Sequence, residues 1–251
     1  MREPKRQIFD KPPKTWQNLE NYIAQVFTEM GCEVRKEITV QLPRGRAVLD
    51  VFVRDITVVP HANYICECKH WIRPVPQSVV HSFRTVVTEL GAHRGFLISR
   101  AGFQAGAREA ARFTNIDLMS WSEFEDLIFD RWVAGVARSL DPLFVQAYEL
   151  MNPSDEGLWN LRECTADSYE EWDQIARRYP LIGVWTLMRS FSNNPLIRIP
   201  SIGLTDHGML VGIDNEVTFN SYRKIVDFAP TLCRVARTEL EAFWRLLPAK
   251  C

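Results

Sequence analysis

Tyr64-Ile65-Cys66-Glu67-Cys68-Lys69-His70 decides how this chain is read. Its opening residues favour a strand, and Pro60, His61 and Asn63 precede it as linker. Side chains on a strand alternate between faces, so Glu67 and Lys69 share one face while Cys66 and Cys68 take the other. Upstream, Ala47-Val48-Leu49-Asp50-Val51-Phe52-Val53 is apolar at both parities, the pattern of a strand inside a sheet. Consecutive strands joined by a short segment pair as a hairpin, which makes Asp50 a neighbour of the Glu67 strand. Asp50 joins Glu67 and Lys69 only if it reaches their face.

Two carboxylates and an ammonium are costly to bury in an apolar sheet unless they pair or hold a cation. Paired hard oxygens suit Mg2+, with Mn2+ as a substitute. The remaining ligands would be waters, a substrate phosphate and a backbone carbonyl such as that of Cys68. A lysine beside them positions or deprotonates the attacking water and stabilises charge on a phosphorane-like transition state. This is the chemistry of phosphodiester hydrolysis. The plain alternative places Asp50 and Glu67 at a solvated sheet edge with Lys69 as ion-pair partner. The apolar flanks argue against it.

Outward from this pair, Trp16, Leu19, Tyr22, Ile23, Val26, Phe27 and Met30 recur at helical spacing between an N-cap at Thr15 and Gly31. A strand over 32–42 and a turn at Pro43-Arg44-Gly45-Arg46 lead into the hairpin. After it, Val79, Val80, Phe83, Val86, Val87 and Leu90 mark a helix ending at Gly91. A strand over 95–99, a helix over 104–113, a strand over 116–119 and a helix over 122–132 capped by Ser122 follow. The order predicts an α/β fold with a mixed sheet flanked by helices. Beyond it, helices over 133–150, 169–179 and 231–247 and a strand pair over 196–202 and 209–213 predict a second, smaller α+β domain. The expected division is a tail over 1–14, a first domain over 15–134 and a second over 135–251.

Composition narrows the function classes. No run of about 18 apolar residues spans a membrane, and the charged segment 1–14 lacks the apolar stretch of a secretory signal. The six cysteines are scattered, and the closest pair is C-x-C rather than C-x-x-C, so free thiols and a cytoplasmic location are expected. Up to Thr114 there are 17 Lys/Arg against 11 Asp/Glu, and after it 13 against 20. The basic half is the one holding Asp50, Glu67 and Lys69. There Arg44, Arg46, Arg73, Arg84 and Arg100 jointly suit phosphate contact. His70 faces away from Lys69 and His81 is isolated, so neither is placed in the site. Trp159, Trp172, Trp185, Trp244 and Phe191 are taken as core aromatics before a base-binding pocket.

Asp50 followed by Glu67-x-Lys69 resembles the PD-(D/E)xK nuclease signature, and its surroundings resemble the Mrr-like restriction endonucleases in particular. The likeness covers residues 15–132. It includes the opening helix with Glu20, Leu49-Asp50, Glu67-Cys68-Lys69-His70-Trp71, the helix after Pro74-Val75, and Gly95-Phe96-Leu97-Ile98-Ser99. Gly102-Phe103, Ala107-Arg108-Glu109-Ala110 and Ile116-Asp117-Leu118-Met119 complete it. This order of blocks is far more specific than D…ExK alone. The resemblance implies a restriction-endonuclease-like sheet and Mg2+-dependent cleavage of DNA in restriction or defence. It further implies a separate domain that chooses the target. It also suggests Glu20 as an auxiliary acid and Gln77 as a further polar site residue. The segment before the aspartate, Leu42-Pro43-Arg44-Gly45-Arg46-Ala47, departs from the family's glycine-rich loop, and Glu67 stands where this branch often has Gln. Cutting both strands needs two sites or two turnovers, which a homodimer would supply. The altered loop motivates the competing reading, an inactive DNA-binding module regulated by its C-terminal domain.

Overall fold

The structure, a computed structural model, describes residues 7–43, 45–152, 166–179, 182, 209–211, 215–217 and 221–247. Contacts divide the chain into two units, Lys11–Gly135 and Val136–Cys251 together with Met1–Asp10.

In the first unit, α1 (Trp16–Glu29) begins where Thr15 Oγ1 accepts from the Asn18 N–H at 3.1 Å. It ends at Gly31, whose φ of 92° is a left-handed conformation glycine adopts freely. Strands β1 (Glu33–Leu42), β2 (Gly45–Asp55) and β3 (Ala62–Lys69) form an antiparallel meander, as the hairpin reading expects. β4 (Arg94–Ser99) and β5 (Ile116–Met119) add in parallel, giving the order β1-β2-β3-β4-β5. Parallel neighbours need crossovers, and α2 (Gln77–Glu89) and α3 (Ala105–Ala111) supply them. This is the mixed, helix-flanked sheet of the restriction-endonuclease-like fold.

Helices cover both faces. Leu49, Ile65, Phe83, Val87, Leu97 and Ile116 form a buried cluster on the α2 side. On the other side Phe27 of α1 meets Tyr64, Phe96 and Phe124 at ring separations of 6.2, 6.4 and 5.9 Å. Leu19, Ile23 and Phe27 are all but inaccessible. Burial of each contributes roughly 1.5–3 kcal/mol.

Helix α4 (Trp121–Met151) corrects two expectations. Its first turn is capped by Ser120, not Ser122. Ser120 Oγ accepts from the Glu123 N–H at 3.3 Å, and the Glu123 carboxylate accepts from the Ser120 N–H at 2.7 Å, a reciprocal capping box. Nor does it stop at Trp132, because Val133-Ala134-Gly135-Val136 carries no terminating signal and Gly135 stays helical. A Cβ on Gly135 would lie 2.4 Å from the Glu29 carbonyl oxygen and 2.6 Å from Met30 Cα. Both atoms are backbone and cannot swing aside, so the end of α1 packs directly on α4. Gly135→Ala, which in an exposed helix gains about 1 kcal/mol of propensity, should therefore lose stability by roughly 1–3 kcal/mol through overpacking. Denaturant midpoints of the two proteins check this, and a more stable alanine variant would refute the contact.

The described part of the second unit holds the end of α4, α5 (Ala166–Arg177), a hairpin of β6 (Met209–Val211) and β7 (Asn215–Val217), and α6 (Tyr222–Leu246). Helix α6 begins nine residues before the sequence expectation, with Ser221 Oγ capping the Lys224 N–H at 3.4 Å. Pro230 sits inside it. The strand β6 pairs with β7, and the segment 196–202 proposed as its partner lies outside the described residues, as do Trp159, Trp185 and Phe191. The lead segment is not simply a solvated tail. Ile8 and Phe9 are buried, and the Ile8 carbonyl accepts from the Arg223 N–H at 2.8 Å. No described helix is long and apolar enough to cross a membrane.

Candidate active site

The site forms where the β2–β3 ladder opens. The strands pair from Asp55↔Ala62 to Val51↔Cys66, and Asp50 and Glu67 are the next residues, just beyond the ladder. Strict alternation would group Leu49 with Val51 and Val53, yet Leu49 packs with Ile65 and Phe83 in the α2-side cluster. The alternation breaks at Asp50. On the other neighbour, Lys36↔Val51 and Ile38↔Leu49 bracket Glu37, which lies across from Asp50 with a φ of 50°. The local distortion turns Asp50 so that its Oδ2 accepts from the Cys68 N–H at 2.7 Å. Asp50 Oδ1 accepts no hydrogen bond among the described residues.

Glu67 and Lys69 do share a face, as alternation requires. The Lys69 ammonium donates to Glu67 Oε1, and both side chains are about one-fifth exposed. Glu20, on α1, is 6% exposed and within electrostatic range of both Asp50 and Glu67. Burial first, then the charges of Asp50 and Glu37, pushes the Glu20 carboxyl up to about 7. Burial also raises Asp50, against the Cys68 N–H and Lys69, and raises Glu67 together with the Asp50 charge. Three acids thus crowd one locus whose positive charge, from Lys69 and Lys36, does not offset their desolvation.

Such a cluster fits a hard divalent cation. Asp50 has an oxygen to spare, Glu67 stands opposite, and oxygen donors are what Mg2+ and Mn2+ take. Among the described residues no three His, Cys, Asp or Glu side chains group so as to hold a metal ion, so a cation here would need backbone, water or substrate oxygens as further ligands. Cys66 and Cys68 are buried thiols pushed well above their usual range by burial and by Asp50, which removes them as thiolate ligands.

The raised Glu20 carboxyl has a consequence for the metal-free protein. An acid whose folded pKa lies above its unfolded value contributes no penalty below about 4.5 and a growing one as pH rises to about 7. Glu20→Gln should therefore match or exceed wild type in Tm at pH 8 and lose that advantage at pH 4. Thermal melts in chelator at both values check this, and an unchanged difference would refute the coupling.

Gln77 takes a different position from the other expected residues. It is exposed at the first turn of α2, with Nε2 3.1 Å from His81 Nε2 and Oε1 against Gly106, turned toward α3. His70 bonds the Pro13 carbonyl at 3.2 Å, outside the carboxylate group. Two residues near the centre went unassigned in the sequence. Glu37 gives no periodic signal, since its role comes from a backbone twist. Trp71 had one: it shares parity with Glu67 and Lys69. The Lys69 ammonium lies 5.4 Å from its ring centroid.

A family model described as restriction endonuclease, of the Mrr type, matches residues 14–128. A search of curated proteins found no match. A solved structure described as a protein of unknown function, AF1548, is similar over 43% of this chain and 59% of its own, with 18% identity and a TM-score of 0.37. The chain thus spans less than two thirds of that protein's length. Residues 14–128 are thus a domain of the Mrr-type restriction endonuclease kind, and their mixed sheet agrees with that match.

Proposed function

We propose that this chain is a metal-dependent endonuclease that hydrolyses DNA phosphodiester bonds in restriction or defence against foreign DNA. The observation that supports the reading is that Asp50, bonded to the Cys68 N–H, lies within electrostatic range of the Glu67–Lys69 ion pair. Asp50, Glu67 and the Cys68 carbonyl are the groups that would hold Mg2+ or Mn2+. A bound cation supplies Lewis acidity toward the phosphate and favours ionisation of water.

The protein's own groups account for the rest. Lys69, held by Glu67, presents an ammonium to a water or a phosphoryl oxygen and neutralises charge gathering on the equatorial oxygens. The Cys68 N–H holds Asp50 in one orientation, so little reorganisation is left for the reaction step. Glu20, whose buried carboxyl is raised to about 7, would ionise more readily beside a bound cation and add to the hold on it. Water attack at phosphorus breaks one P–O bond, and the departing oxygen takes a proton from solvent. The acidic segment 135–251 is assigned to target choice or control, since Asp50, Glu67, Lys69 and Glu20 all lie outside it.

The test is incubation of the purified chain with Mg2+ or Mn2+ and plasmids of differing methylation. Conversion of supercoiled to nicked or linear DNA in metal, and none in chelator, is expected. Absence of any product across these substrates would overturn the reading.

A further inference from the structure

Beside the carboxylates lies an open cleft of about 300 Å3, lined by Val48, Glu67, Lys69, Trp71, Ser78 and Ser82. Its character is unusual for a surface meant only for phosphates. Trp71 is 44% exposed, Val48 is 62% exposed, and the following residue, Ile72, is 85% exposed. Trp71 and Val48 both line the cleft with Glu67 and Lys69, where a single exposed side chain would need no explanation. Trp71 is also oriented: the Lys69 ammonium engages its ring at 5.4 Å while ion-pairing with Glu67. The cation that serves the phosphate thus fixes an aromatic plate one step away from it.

We propose that this cleft takes one nucleobase of the cut strand, stacked on Trp71, so that the preferred substrate is DNA unpaired or unstacked next to the scissile phosphate. The inference rests on the nuclease reading and adds a substrate class to it. A base has a flat apolar face for the indole and polar edges for hydroxyls. The Ser82 hydroxyl, which lines the cleft, donates to the Ser78 carbonyl at 3.1 Å and retains acceptor capacity for a base edge. Every base has a π-face, so the recognition is tolerant of sequence. A base within a duplex is stacked on its neighbours and cannot occupy the cleft until it is displaced. Trp71 is here a positioning residue, setting the phosphate against Lys69 through the neighbouring base.

The test uses the full chain, as wild type, Trp71→Ala and Trp71→Phe, with matched thermal melts. Single-stranded oligonucleotides carrying one 2-aminopurine, and the same sequence as a duplex, are titrated in chelator, so that binding is read without turnover. Expected are quenching of the single-stranded probe by wild type, retention of quenching by Trp71→Phe, and roughly tenfold or weaker binding with loss of quenching in Trp71→Ala. In Mg2+, cleavage of single-stranded or gapped DNA should exceed that of the intact duplex, with Trp71→Ala raising KM more than it lowers kcat. Equal binding and quenching by Trp71→Ala, or no quenching by wild type, would overturn the stacking proposal even if DNA is cut. Quenching that depends on Trp71 without cleavage of any DNA would instead overturn the nuclease reading alone.

Discussion

Lys69→Ala is expected to lower metal-dependent DNA cleavage by about 10^2 to 10^4, the range for losing a positioned charge or proton-transfer group at a reacting centre. The effect has two origins. The ammonium proposed to face the phosphate is gone, and the partly buried Glu67, raised by burial and by the Asp50 charge, loses the Lys69 cation that opposes its protonation. Lys69→Arg should recover little, because the planar guanidinium cannot occupy the compact ammonium position between Glu67 and Trp71. Initial rates on plasmid DNA measure this, with the Tm of each variant as the control for folding. A Lys69→Ala protein that folds and cuts at the wild-type rate would remove Lys69 from the chemistry.

The largest loss of stability is expected at a residue away from the site. Asp55, at the end of β2, is fully buried and accepts four hydrogen bonds. Thr57 donates its N–H at 3.0 Å and its hydroxyl at 2.7 Å to Oδ1, while Tyr64 OH at 3.2 Å and Arg131 Nη2 at 2.6 Å donate to Oδ2. The carboxylate ties β2 and β3 to α4. Asp55→Ala removes the acceptor of all four bonds, a loss of roughly 3 kcal/mol, since Arg131 is 44% exposed and can turn to water once freed. Burial alone would raise this carboxyl, but the donors from Thr57 and Arg131 outweigh it and hold the acid below its usual range. A depressed acid contributes stability above its unfolded value that vanishes as pH falls through the folded one. The gap between wild type and Asp55→Asn in urea should therefore be full at pH 7 and shrink below about pH 4. A gap that stays constant to low pH would refute the charged role of Asp55.

What was legible in the sequence is what local periodicity can carry. The parity of Glu67 and Lys69, the hairpin that brings Asp50 beside them, and the alternation of strand and helix from 62 to 119 all follow from patterns a few residues long. The family match covers nearly the same stretch, 14–128. The less legible features depend on contacts across the chain. Period-two reasoning could not decide the face of Asp50, because the alternation breaks there opposite Glu37. Asp55 looked like the end of a strand, and only its meeting with Arg131, 76 residues later, makes it a lock. Helix α4 joins the expected helices 122–132 and 133–150 into one, and α6 begins nine residues before its expected start with Pro230 inside it. Gln77 opens α2, and its side chain meets His81 one turn on and Gly106 of α3, a contact across elements that no local pattern carries.

The claim that Asp50 and Glu67 form a cation-holding nuclease centre is tested most directly by Mn2+ titration of the full chain, followed by electron paramagnetic resonance. Wild type, Asp50→Asn and Glu67→Gln would be compared, with DNA cleavage measured on the same samples. The expected result is a saturable site in wild type that is weakened at least tenfold in each variant, with cleavage lost in parallel. Mn2+ binding and DNA cleavage that both survive Asp50→Asn and Glu67→Gln would contradict it.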